Sequence, residues 1–226
     1  MKRTRWLRVA VVVVGLALWF LTQSLLGARE LPPDQEVAGA LLSAGDGLFA
    51  LTAGCHQLLH ESEPLANGLL IVSSLGIDIL ALFLIIGAIF GPTLRPFVGL
   101  ILLFALRQLC QTLSPLPQPA GMIWHDPGFP SLLVTYSVAN DFFFSGHTAL
   151  ATLGAIEVGR MGGVRWSIVA AFVALFEMFA VIVLRAHYTM DVYAGAVTAL
   201  LVAVVAARVA PACDRILSGG DGLGVD

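Results

Sequence analysis

The sequence predicts an all-α integral membrane protein, a bundle of six transmembrane helices with both termini on the cytoplasmic side. Three observations carry this. Of 226 residues, 58% are hydrophobic and 12% charged, against about 45–50% and about 25% in soluble domains. The mean hydropathy is +0.90. The apolar residues also gather into runs approaching the ~20 residues that a spanning helix needs. A net charge of −3 with no basic block gives nucleic acid no surface to bind. Cys55, Cys110 and Cys213 lie too far apart for a disulfide framework or a CxxC metal site.

The elements follow in order. A basic start, Lys2, Arg3, Arg5 and Arg8, precedes an apolar run over 9–27. Such a start resembles a secretory signal. The run nears spanning length and further spans follow, so it is expected to stay as the first span. Residues 28–67 form a mixed extracytoplasmic loop, in which Leu31-Pro32-Pro33 breaks any helix. Within it, 37–59 mixes apolar residues with Asp46, His56 and His60. That pattern suits a helix lying on the membrane surface, or an ordered loop capping the bundle. The second span, 68–90, holds Asp78, and Gly91-Pro92-Thr93-Leu94-Arg95-Pro96 makes a tight connection. The third span, 97–113, carries Arg107, Gln108 and Gln111, and Pro115, Pro117 and Pro119 end it. The loop up to Asn140 has room for a short re-entrant or surface turn. The fourth span, 146–160, is short and rich in Gly and Ala. The fifth is 166–184 and the sixth 188–210, ended by Pro211. Residues 211–226 are a cytoplasmic tail.

Basic residues set the orientation. With the N-terminus inside, Lys2, Arg3, Arg5, Arg8, Arg95, Arg160, Arg165, Arg208 and Arg215 are cytoplasmic. Only Arg29, Arg107 and Arg185 fall in the outer half. The same topology puts His56, His60, His125, His147 and His187 on the outer side.

Two polar clusters sit at the mouths of spans, where polar groups are costly. One is Asp141 to Thr148, with Ser145-Gly146-His147 opening the fourth span. The other is Arg185-Ala186-His187-Tyr188-Thr189-Met190-Asp191. His187 and Asp191 are four apart, so a helix stacks them on one face. The carboxylate is then expected to accept from one ring nitrogen, leaving the other as a nucleophile or base. The spacing is equally that of a buried ion pair. A helix N-terminus at Gly146 offers free N–H groups to an anion, and glycine lets the backbone approach closely. Ser145 donates its hydroxyl there, or it or Asp141 simply caps the helix. His147 can hold a proton for a leaving group. Arg107 and Arg185 are candidates for phosphate oxygens, and Arg185 equally suits an interface residue reaching water. Together these groups describe phosphoryl transfer at the extracytoplasmic face without a metal or any other cofactor.

At this point the sequence resembles the type 2 phosphatidic acid phosphatase superfamily, and most closely its sphingomyelin synthase branch. "DFFFSGHT" at 141–148 resembles that branch's D-x-x-x-S-G-H-T, and "HYTMDV" at 187–192 its H-Y-[ST]-x-D-V. "RQLCQTLSPLPQP" at 107–119 resembles a stretch with an Arg and a closing L-P-x-P. The similarity covers roughly residues 95–195. It implies a six-helix bundle needing no metal, with His187 as nucleophile, Asp191 as its orienting partner and His147 as the acid on the leaving group. Ordinary phosphatases place an Arg six residues before the nucleophilic His, where this chain has Val181. They also have a Lys before Arg-Pro that is missing ahead of Arg95-Pro96. Both departures favour the synthase branch.

Asp78 and Arg107 reach nearly the same depth in a ~30 Å core, which predicts that they pair or share a pocket. Asp78 and Tyr188 are further candidates to support the site. Glu157 is expected near the cytoplasmic interface, and Glu177 has no evident partner. The expected activity is transfer of a phospho-head-group from a phospholipid to a lipid hydroxyl, ceramide-like or diacylglycerol, through a phosphohistidine. The alternative is a lipid phosphate phosphatase, with water as acceptor. A proton-coupled transporter fits less well, because the histidines gather at one face instead of spreading through the depth. Expected partners are the donor and acceptor lipids, membrane lipids and, left open, a second copy of the chain. The expected place is a plasma (inner) membrane.

Overall fold

The computed structural model describes residues 2–29, 34–134, 136 and 142–218. The Leu31-Pro32-Pro33 break, Asp141 and the tail from 219 lie outside the described residues. No strand occurs among those described. The helices are α1 (Lys2–Gly27), α2 (Gln35–Ala44), α3 (Gly47–Leu51), α4 (Ala53–Glu61), α5 (Glu63–Phe90), α6 (Arg95–Leu113), α7 (Gly146–Gly162), α8 (Val164–Val183) and α9 (Thr189–Ser218). Five of them, α1, α5, α6, α8 and α9, are long and apolar enough to cross a membrane.

The remaining long helix, α7, is 17 residues and packs against α5, α6, α8 and α9. Its small residues explain how it fits. A Cβ on Gly154 would lie 3.1 Å from Leu80 Cδ2, and one on Gly99 of α6 would lie 3.3 Å from Leu153. Lipid drives helices together only weakly, so close backbone approach through small residues provides the packing. Gly163 alone turns α7 into α8, with φ of 80°, a region that favours glycine.

The two ends of the bundle differ in chemistry. At one end, Arg8 of α1 donates to Gly91 O at 2.6 Å and meets Asp214 Oδ1 at 3.0 Å. Asp214 also accepts from Thr93 Oγ1 at 2.6 Å and Leu94 N at 3.0 Å. These ties explain why α9 runs on past Pro211 to Ser218. The expected stop at Pro211 does not occur. A proline removes one helical hydrogen bond, and the Asp214 anchor holds the helix beyond it. Nearby, Glu157 is buried between Arg95 at 2.9 Å and Arg160 at 2.7 Å. Glu157→Ala leaves two guanidiniums without their buried counter-ion. It should destabilise the protein by about 3 kcal/mol, read as a lower midpoint of thermal unfolding in detergent. An unchanged midpoint would mean that both arginines satisfy themselves elsewhere.

At the other end, α2 to α4 fold over the α8–α9 turn. Residue 37–59, expected as a surface helix or a cap, is three short helices. α5 begins at Glu63, five residues before the expected 68, with Pro64 in its first turn, where its missing N–H costs nothing. The loop after α6 dips into the bundle. Asp78 accepts from Leu132 N at 2.7 Å, Leu133 N at 3.0 Å and Ser131 Oγ at 3.3 Å. Tyr136 bonds Ser74. Asp78 lies 15 residues into α5, roughly 22 Å from its start. This corrects the expected Asp78–Arg107 pair. Backbone N–H groups carried to that depth need acceptors, and Asp78 supplies them. Glu177 of α8 also has a partner, Ser73 Oγ at 2.6 Å.

Candidate active site

The two polar clusters come from opposite sides of one joint. Ser145 N donates to Asp191 O at 3.1 Å, tying the start of α7 to the first turn of α9. A Cβ on Gly195 would sit 2.7 Å from Ser145 O, so only glycine allows this approach. His187 Nδ1 lies 2.8 Å from Phe142 O. A carbonyl can only accept, so Nδ1 carries the hydrogen and Nε2 holds the lone pair.

This differs from the expected His187–Asp191 hydrogen bond. Asp191 Oδ2 is 3.8 Å from Nδ1, beyond hydrogen-bond distance. It accepts from Tyr188 N at 3.0 Å. Asp191 is the third residue of α9, and its carboxylate reaches back to the residue capping the helix, as in half of a capping box. That bond fixes the orientation of the carboxylate. Asp191 Oδ1 is buried with no hydrogen-bond partner among the described residues. The tautomer expected from Asp191 is therefore set by a backbone carbonyl, and the carboxylate acts on the ring across a longer gap.

His187, His147, Gly146 and Arg107 line one cavity of about 80 Å³. Arg107 is 7% exposed and its Nε donates to Phe144 O at 2.9 Å. A Cβ on Gly146 would come within 3.0 Å of Arg107 Nε, so the guanidinium lies directly against the start of α7. His147 Nε2 is buried without a partner among the described residues, and its ring meets Trp124 edge-on at 5.2 Å. Trp19 of α1, Phe104 and Phe142 complete an aromatic wall. A helix N-terminus, a guanidinium and two imidazoles around one space can hold a tetrahedral anion and move a proton.

Other candidates lie outside the cavity. Ser145 Oγ accepts from Thr148 N at 3.3 Å, which is the capping role. Tyr188 is buried, donates to Pro117 O at 3.1 Å and stacks on Phe49. Asp78 holds the loop whose Leu133 and Val134 form part of the wall. Arg185 points away from His147 and His187. It donates to Phe49 O at 2.7 Å and Thr52 Oγ1 at 3.2 Å, with its guanidinium 4.0 Å from the Phe49 ring centroid. Its φ is 56°, rare for a side chain other than glycine. Ala186 N to Val181 O and Arg185 N to Ile182 O close a Schellman-type end on α8. The side chain's three contacts hold that conformation in place.

The α2–α4 segment supplies residues that sequence reasoning passed over. Asp46 caps α3 through Leu48 N at 3.1 Å and Phe49 N at 3.2 Å, and also caps α9 through Thr189 N at 2.8 Å. His56 Nδ1 donates to Val183 O at 2.8 Å. Burial pushes the His56 imidazole below its ordinary value, the Val183 carbonyl opposes this, and Arg185 and His60 add to it. The only sequence signal for these residues is polarity within an amphipathic stretch. For Trp19 and the Phe142 carbonyl there is none, because an apolar residue and a backbone atom announce no chemistry.

A sequence model of the AtPDCT1/2 family matches residues 45–208. Phosphatidylcholine:diacylglycerol cholinephosphotransferase 1 of Arabidopsis thaliana is 21% identical over 147 residues, covering 65% of this chain and 48% of that protein. The chain thus spans about half the length of the curated relative it matches. No solved structure matches the chain significantly.

Proposed function

The chain belongs to the AtPDCT1/2 family, and from that premise we propose that it is a membrane lipid phosphotransferase. It takes a phospho-head-group from a phospholipid onto His187 and passes it to a lipid hydroxyl. The observation that carries this reading is the convergence of His187, His147 and Arg107 on one cavity at the start of α7.

In the first step His187 Nε2 attacks phosphorus, the bond from phosphorus to the glycerol oxygen breaks, and His147 gives that oxygen its proton. In the second step an acceptor hydroxyl attacks phosphorus, its proton goes to His147, and the phosphorus–nitrogen bond breaks. Arg107 and the α7 N–H groups hold the phosphoryl oxygens as charge builds on them. No metal or other cofactor is needed for either step.

The donor we favour is phosphatidylcholine and the acceptor diacylglycerol, the pair named in the relative; ceramide is the other acceptor to test. Aromatic faces suit a trimethylammonium group, and Trp19, Phe104, Trp124 and Phe142 provide them without a carboxylate among the described lining residues. The cavity is well below the roughly 300–1,000 Å³ of pockets that enclose a drug-sized ligand. It would take the head group and leave the acyl chains in the membrane. We further take α7 as a sixth span and the site as extracytoplasmic, since the opposite end carries most of the basic side chains.

The test gives purified protein labelled diacylglycerol or labelled ceramide with phosphatidylcholine. A new labelled phospholipid supports the transferase. Free phosphocholine or phosphate with unchanged acceptor would make it a hydrolase. Asp46 enters as a positioning residue, because it holds Thr189 two residues beyond His187. Asp46→Ala should cost about 1 kcal/mol of capping and lower kcat by roughly tenfold or more, with KM little changed. A fall in stability with unaltered kcat per folded molecule would make the contact purely structural.

A further inference from the structure

The face of α1 turned towards the cavity carries a buried hydrogen-bond donor that none of the described residues meets. Trp19 is 7% exposed, and its Nε1 has no partner among the described residues. An indole N–H only donates, and buried tryptophans usually find an acceptor. Leaving such a donor unmet is costly, so a ligand or water must answer it. The side chain lines the same cavity as His147, His187 and Arg107. His147 Nε2 is unpartnered in that cavity too. Two unmatched buried polar atoms around one space suit a single polar ligand.

The position of the indole is also fixed more firmly than packing requires. Its ring stacks on Phe104 with centroids 4.4 Å apart and planes at 26°. Its backbone carbonyl accepts from Gln108 Nε2 at 3.2 Å and Thr22 Oγ1 at 3.0 Å. Thr22 Oγ1 lies 2.8 Å from Gln108 Oε1. Gln108 directly follows Arg107 in α6, so the polar clamp sets the indole in register with the guanidinium. One turn before it, Gly15 lets α1 close on α6, since a Cβ there would lie 2.8 Å from the Phe97 ring.

We infer that Trp19 is a ligand for the donor phospholipid, its indole N–H donating to a phosphoryl or ester oxygen of the bound head-group region. This rests on the phosphotransferase reading and adds a residue outside the stretch 45–208 that matches the family. The donor site is then completed by the first helix, and the indole would help to orient phosphorus for His187.

The closing experiment measures binding and turnover separately, on full-length protein in detergent. Calorimetric titration with dihexanoylphosphatidylcholine, without acceptor, reads affinity alone. Trp19→Phe keeps an aromatic ring and removes the N–H. It should raise Kd and the donor KM by about tenfold and leave thermal unfolding where it was. Trp19→His restores a ring N–H and should recover part of the loss. Titration with orthovanadate tells the acceptors apart. Weaker vanadate binding in Trp19→Phe assigns the bond to phosphoryl oxygen, and unchanged vanadate binding with weaker lipid binding assigns it to an ester oxygen. Kd and KM equal to wild type in Trp19→Phe would overturn the inference, as would a loss explained wholly by unfolding. If wild type binds the lipid and Trp19→Phe weakens it but no transfer occurs, the ligand role stands and the phosphotransferase reading falls.

Discussion

Replacing His187 by alanine should lower turnover by roughly a thousandfold or more, while the protein stays folded. The geometry explains both halves. Nδ1 is committed to Phe142 O at 2.8 Å, which leaves Nε2 as the nitrogen with a free lone pair. No other imidazole lining the cavity has its tautomer set in this way by a described carbonyl. Without the ring the proposed covalent intermediate could not form, and water or the acceptor would have to attack the donor directly. The structural loss is one buried hydrogen bond, worth about 1 kcal/mol net, and the edge contact of the ring with Phe142. The Ser145–Asp191 link and the Asp46 cap do not pass through the ring. Turnover and melting are measured on the same preparation. Acid-labile phosphocholine on His187 should be trapped from wild type after rapid mixing with phosphatidylcholine. A variant that keeps more than a tenth of wild-type turnover would remove His187 from the nucleophile's role.

The second large effect is expected at Arg107. Arg107→Ala should lower kcat by roughly a hundred- to a thousandfold, the range found when a preorganised donor to a developing oxyanion is removed. The guanidinium is buried against Gly146, at the point where the α7 N–H groups open. Phosphoryl charge placed beside it would therefore be poorly screened by water. Arg107→Ala also leaves Phe144 O without its Nε donor. Arg107→Lys keeps the charge but loses the planar fork, and should fall between the two. Arg185→Ala is the informative contrast. Its guanidinium holds Phe49 and Thr52, so it should lower stability and leave vanadate affinity unchanged. The reverse pattern, with vanadate lost in Arg185→Ala and kept in Arg107→Ala, would exchange the two roles.

How much of this was legible in the sequence depends on the range of the interaction. Helix existence follows from local hydropathy, which is why α1, α5, α6, α8 and α9 were foreseeable as long apolar helices. The pairing of Ser145-Gly146-His147 with His187 was foreseeable from chemistry, since two polar clusters at helix mouths share the need for a polar surrounding. Contacts with no pattern of their own were not legible. Asp78 was matched to Arg107 by depth alone, and depth says nothing about a loop that re-enters the bundle. Asp191 was matched to His187 by helical spacing. That spacing ignores the competing backbone N–H of Tyr188, which is nearer. Pro211 was read as a stop because the anchor that outweighs it, Asp214 with Arg8, joins residues 206 apart.

The carbonyl behind the His187 ring has one more consequence, for the energy of the intermediate. Phe142 O can hold the Nδ1 hydrogen but cannot accept it as a proton. A ring phosphorylated at Nε2 would therefore keep that hydrogen and its positive charge. Such an N-phosphoryl imidazolium expels a neutral imidazole, a far better leaving group than an imidazolide anion. The phosphoryl group would be held in an activated form that a hydroxyl displaces readily. The ring would then speed exchange in both directions alike, and the relative amounts of the lipids, not the intermediate, would decide which way the head group moves.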